Sequence, residues 1–180
     1  MLKGVKTLLI CTDFSEAATH AARYACILAR QYGFGYITLF NTYHTVVTST
    51  ALPLNTNEDD EQNTNEDDEQ AKASLQQLQS LKDELAGLTG DDMIIRVRTE
   101  KLSLGEKINE ICREENSDMV VLGITGKSKL EKTFIGSSAV NVSKNCAYPV
   151  LIVPAKAPLE PVQSILFACD LNEIAATNSS

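Results

Sequence analysis

Short apolar runs alternate along this chain with stripes of apolar residues at helical spacing. Val5 to Cys11 is a compact apolar run that stops at Thr12-Asp13, and it predicts a strand buried on both faces. Ser15 is a good helix N-cap, and Glu16 stands in the first turn, where the helix dipole favours an acid. Ala17, Ala18, Ala21, Ala22, Ala25, Leu28 and Ala29 then share one face of a helix, small enough to lie close on a sheet. Gly33 and Gly35 end it, and Tyr36 to Thr42 predicts a second strand. Leu75, Leu78, Leu81, Leu85 and Leu88 mark an amphipathic helix over 71–88 and are expected as core. Met93 to Thr99 alternates, as a strand nearer a sheet edge does. A helix from Ser103 or Leu104 through Glu115, a buried strand from Asp118 to Leu122, a helix over 137–145 and a last strand from Val150 to Val153 complete the series.

Strand and helix alternate throughout, which predicts an α/β fold: a parallel sheet with helices on both faces, joined by right-handed crossovers. Ligands of such sheets bind beyond the carboxyl ends of the strands, where the strand order reverses. Thr12-Asp13 and the stretch from Gly123 onward occupy those ends.

Between the second strand and the leucine-striped helix lies an exact repeat. Asn55-Thr-Asn-Glu-Asp-Asp-Glu-Gln62 is followed by the same octapeptide at 63–70. Its polarity predicts a mobile acidic loop over 55–70, although Glu and Gln allow the second copy to merge into the following helix. It lacks the glycine and ligand spacing of a calcium loop. The repeat holds eight of the chain's 24 acids and no base, so the remaining acids balance the 16 Lys and Arg. The net charge of −8 therefore belongs to one segment, and a surface without basic excess argues against nucleic-acid binding.

Hydrophobic residues make up 43% of the 180, enough for one core. No apolar run reaches the ~18 residues of a membrane span, and the N-terminus lacks a signal-peptide pattern. The expectation is a cytoplasmic protein that does not enter the membrane. The five cysteines are scattered without a C-x-x-C pair, as expected of reduced, buried thiols. Two histidines leave little material for a metal site or triad.

Val5 to Thr19 recurs in degenerate form as Val162 to Thr177, with Asp170 and Glu173 matching Asp13 and Glu16. The expected organisation is one domain over 1–154, a linker over 155–161, and over 162–180 the first strand and helix start of a second, similar domain. Ile165-Leu-Phe-Ala-Cys169 would then lack the sheet that buries it.

The stretch most informative for chemistry is Gly123-Ile-Thr-Gly126-Lys-Ser-Lys-Leu-Glu-Lys-Thr-Phe-Ile-Gly136-Ser137-Ser138. Glycines after a buried strand let backbone approach a ligand and let successive amides converge on an anion. Gly136-Ser137 would add amides and hydroxyls at a helix N-terminus. Gly126-Lys127-Ser128 imitates the end of a Walker A loop, but Val121 stands where that motif requires glycine.

The spacing Gly-x2-Gly-x9-Gly-Ser resembles the ATP-binding pattern of the universal stress protein family. Leu9 to Ala17 resembles that family's opening, with Cys11 where proline is commoner, and Asn145 to Pro154 resembles its last strand. The resemblance spans residues 3–154, and the terminal repeat resembles tandem members. It implies a five-stranded sheet of order 3-2-1-4-5, Rossmann-like and of the adenine nucleotide alpha hydrolase-like kind, dimerising through its last strand. It also implies ATP, or AMP or ADP, with Mg²⁺ bridging phosphates. Thr12 and Asp13 would face adenosine, Asp13 accepting from ribose or adenine and standing as the candidate metal contact. Thr42 and Leu122 would lie by the adenine. Gly123, Gly126 and Lys127 would hold phosphates, with Gly136, Ser137 and Ser138 closing around them. The implied function is a stress-response nucleotide-binding module working as a homodimer. The alternatives are a nucleotide-free dimerisation module and a slow ATP-hydrolysing or nucleotidyl-transferring enzyme. Phosphoryl transfer needs an oriented nucleophile, and no base for it is evident.

Overall fold

The computed structural model describes residues 5–43, 59–90, 92–101, 104–125 and 137–167. Nine elements follow in order: β1 (Lys6–Cys11), α1 (Glu16–Tyr32), β2 (Phe34–Tyr43), α2 (Asp59–Ala86), β3 (Ile94–Lys101), α3 (Leu104–Glu114), β4 (Met119–Ile124), α4 (Ser137–Asn145) and β5 (Val150–Pro154). The strands form one five-stranded sheet of order β3-β2-β1-β4-β5, parallel throughout.

Side-chain alternation along β1 sorts the core into two layers. Leu8 and Ile10 face α1 and α2, while Leu9 and Cys11 face α3 and α4. Helices thus cover both faces. The first two crossovers step one way along the sheet. The third carries the chain from the β3 edge back past β1, so right-handedness puts α3 on the opposite face.

α1 is capped as its sequence predicts: Ala18 N donates to Ser15 Oγ (3.2 Å), and Gly33 takes a left-handed conformation (φ 68°) with its N–H on Ala29 O. Its alanines are buried, so the helix lies close against β4.

The expected acidic loop is corrected by α2, which begins at Asp59 and runs through the second half of the first octapeptide and all of the second. Glu and Gln have high helix propensity, and extending a helix nucleated by its leucine stripe costs far less than starting one. Residues 55–58 lie outside the described residues. The stripe is also narrower than its spacing suggests. Leu78, Leu81 and Leu85 are buried, whereas Leu75 is 41% exposed because its neighbour Ser74 takes the sheet-facing position, and Leu88, 40% exposed, lies beyond the end of the helix at Ala86.

After β5 the chain runs back along α1. His20 Nε2 meets Ala157 O (2.8 Å), and Gln31 holds Val162 through both its carboxamide groups (2.7 and 2.8 Å). The five residue steps from Ala157 to Val162 span ~16 Å when extended, the rise of the helix between His20 and Gln31. Beyond Val162, Ile165, Leu166 and Phe167 are almost wholly exposed and join no strand among the described residues. Residues 168–180, with Asp170 and Glu173, lie outside the described residues. Among the described residues no helix is long and apolar enough to cross a membrane.

Candidate functional site

The strand order reverses at β1, whose right-hand and left-hand neighbours are reached by crossovers on opposite faces. The loops after β1 and β4 therefore diverge, and a crevice opens beyond their carboxyl ends. A cavity of about 350 Å³ lies there, within the range of small-ligand sites. Cys11, Phe40 and Leu122 form its apolar floor, and Asp13, Thr42 and Thr125 stand around its mouth.

The loop after β1 is held by a dense set of local bonds. Thr12 N donates to Phe40 O (2.8 Å), Phe14 N to Thr12 Oγ1 (3.0 Å), and Ser15 N to Asp13 Oδ1 (3.0 Å). Phe14 has φ 62°, a left-handed conformation that a bulky side chain rarely adopts. Such strain persists only where the surroundings over-determine it, as they do in this loop. Asp13 is exposed, and its second carboxylate oxygen has no partner among the described residues.

Three helices begin at this crevice, since each follows the carboxyl end of a strand. Ala17 and Ala18 of α1, Leu104 of α3 and Ala139 of α4 all line it, and all belong to first turns. First-turn amides lack intrahelical acceptors, and the dipoles add positive potential. The cavity thus combines an apolar floor, one carboxylate oxygen without a partner among the described residues and the first turns of three helices. Among its described lining residues there is no His, Lys or Arg. Burial beside Cys112 and Cys146 pushes the Cys11 thiol far above its ordinary range, so the floor is neutral.

Of the residues singled out from sequence, Thr12, Asp13, Thr42, Leu122 and Gly123 line this one cavity. Ser137 and Ser138 open α4, immediately before Ala139. Gly126, Lys127 and Gly136 lie outside the described residues. Gly123 also has a packing reason. A Cβ there would sit 2.3 Å from Ala17 O and 2.8 Å from Ala18 Cα, so the glycine admits the first turn of α1. Asn41 escaped the sequence reading. It lines the cavity, is buried, and donates from Nδ2 to Thr12 O (2.7 Å). The available signal was a carboxamide closing an otherwise apolar run. Among the described residues no group of three or more His, Cys, Asp or Glu is placed to hold a metal ion.

Residues 4–154 match the model of the universal stress protein family. A universal stress protein of Methanocaldococcus jannaschii is 27% identical over 151 residues, covering 82% of this chain and 81% of that one. Among solved structures, a universal stress protein in complex with cAMP superposes with a TM-score of 0.59 at 19% identity, over 86% of this chain and all of that one (100%). A universal stress protein family protein of Arabidopsis thaliana with AMP bound gives 0.55 at 13% identity, over 83% of this chain and 91% of that one.

Proposed function

The chain belongs to the universal stress protein family, and on that premise we propose that its crevice binds an adenine nucleotide and that the domain acts as a nucleotide-responsive module rather than a rapid enzyme. One observation carries this reading: first turns of α1, α3 and α4 converge on a single cavity whose floor is apolar and whose wall offers the Asp13 carboxylate. The apolar floor of Cys11, Phe40 and Leu122 suits a purine face. A carboxylate oxygen accepts from ribose hydroxyls or from the adenine amino group. Helix N-termini receive phosphates. The AMP and cAMP bound by the two solved relatives support the same ligand class.

ATP fits as the largest member of that class. Gly126, Lys127, Gly136, Ser137 and Ser138 would take its phosphates. When bound, Mg²⁺ would neutralise charge between those phosphates, with Asp13 as the described carboxylate nearest in kind. Among the described lining residues Asp13 is the only charged side chain, which supports binding over rapid turnover.

Mass spectrometry of the denatured purified protein tests the reading, followed by calorimetry with AMP, ADP and ATP, with and without Mg²⁺. Asp13→Asn is the discriminating variant. It preserves the oxygen that caps Ser15 N and removes the charge, so it should fold normally and weaken nucleotide binding about tenfold. No co-purified nucleotide and no heat of binding would leave a dimerisation module. Accumulation of ADP or AMP would make the protein a slow enzyme.

A further inference from the structure

β1 leaves the sheet at Thr12, and its carbonyl would ordinarily accept from a main-chain N–H of β2. Among the described residues no main-chain donor does so. Asn41 Nδ2 supplies that bond at 2.7 Å. The orientation of the carboxamide follows from its partners. Thr12 O accepts only, so Nδ2 must face it, and Asn41 Oδ1 is left to accept from Ser74 Oγ at 2.7 Å. Having donated there, the Ser74 oxygen receives the Thr99 hydroxyl at 2.7 Å. Asn41 and Ser74 are buried, 8% and 5% exposed, so each of these bonds stands in for water that cannot reach them. A relay thus runs from β3 through α2 and β2 to the loop that presents Asp13. Thr12 has its N–H, carbonyl and hydroxyl oxygen all engaged by the protein, and its residual freedom is small.

We propose that Asn41, oriented by Ser74 and Thr99, is a positioning residue that sets the Thr12-Asp13 backbone for the nucleoside end of the ligand. The inference rests on reading the crevice as an adenine-nucleotide site. The carboxamide replaces the missing rung of the β1–β2 ladder. It lets β1 end at the crevice without an unsatisfied carbonyl and without the loop drifting. It acts through Thr12 and Asp13, at the end of the cavity away from α4. Its loss should therefore be felt by the nucleoside and not by the phosphates.

Asn41→Leu removes donor and acceptor at similar volume. Ser74→Ala removes only the group that orients the carboxamide, and serves if the first variant fails to fold. Calorimetry with adenosine, AMP and tripolyphosphate is the first measurement. Both variants should bind adenosine and AMP about tenfold more weakly and tripolyphosphate as the parent does. Hydrogen exchange without ligand is the second. The amides of Thr12, Phe14 and Ser15 should exchange about tenfold faster, with β4 unchanged. Equal losses for all three ligands, or unchanged exchange at those amides, would overturn the proposal. If the parent protein binds no adenine nucleotide, the function proposed for the crevice fails. Faster exchange confined to the loop would then still uphold the positioning role.

Discussion

Gly123 shows how one missing carbon can be structural at a position that reads as functional. Its sequence context, a glycine after a buried strand, suits a ligand loop. In the fold its Cα hydrogen faces the backbone of Ala17 and Ala18, close enough that any Cβ would collide. Gly123→Ala is therefore expected to destabilise the protein by about 1–3 kcal/mol in urea unfolding, whether or not ligand is present, because helix backbone cannot move aside cheaply. Thiols offer a second residue-scale test. Burial pushes Cys26 up to about 12 from an ordinary 9.0, and burial together with the Cys146 thiol does the same to Cys112. A raised thiol value means that the unfolded chain releases its protons first. The contribution to stability is complete below pH 9 and declines as pH rises from 9 toward 12. Urea midpoints across that range should fall. Replacing Cys26 with Ser, which does not titrate there, should flatten part of the decline.

At the scale of elements, α2 is where periodicity and packing part company. Five leucines share its stripe, yet only the middle three are buried. Leu78→Ala should cost about 2–5 kcal/mol and Leu75→Ala under about 0.5 kcal/mol, a contrast that parallel urea titrations would show. Equal effects would mean that the exposed Leu75 side chain is covered in solution. The same helix absorbs the acidic repeat, and Asp67 from the second copy pairs with Lys101 at the end of β3. That pair is partly exposed and adds little to stability. Ser74, one helical stretch further on, matters more, since it reaches the buried relay beneath the crevice. β1, β4 and the core of β2 were legible as apolar runs because strands buried on both faces leave no other pattern. The start of α2 inside the first octapeptide was not, because polarity alone does not separate a solvated helix from a loop.

For the whole molecule, the two sheet edges are unlike. β3 carries Arg96, Arg98 and Glu100, and Arg98 is tied to Glu114 and Glu115 at the end of α3 (2.6 and 2.9 Å). Such charges discourage pairing with another chain. Among the described residues β5 pairs with β4 alone, and its Val150, Leu151 and Ile152 are only half-buried. We propose that the chain forms a homodimer and that it does so along β5. Light scattering at micromolar concentration should give twice the chain mass, and Ile152→Lys should return it to the monomer. A monomeric parent protein would refute this interface. The exposed Ile165-Leu166-Phe167 segment repeats the pattern of Leu8, Leu9 and Ile10, which are fully buried in β1. We propose that it is the first strand of a second domain of the same kind.

Taken alone, the chain determined the order and type of its strands and the first, third and fourth helices. Local burial and capping are written in residue spacing, so these elements needed no partner to be recognised. It also pointed to Thr12, Asp13 and Gly123, because parallel sheets place ligands at strand ends, while Leu122 came from the family resemblance. Only the tertiary structure decided what each residue there meets. Gly123 meets the backbone of α1, Thr12 is braced by Asn41, and Asn41 is oriented from a helix 33 residues away. Such contacts join segments distant in sequence, and nothing in the local pattern of either segment records its partner.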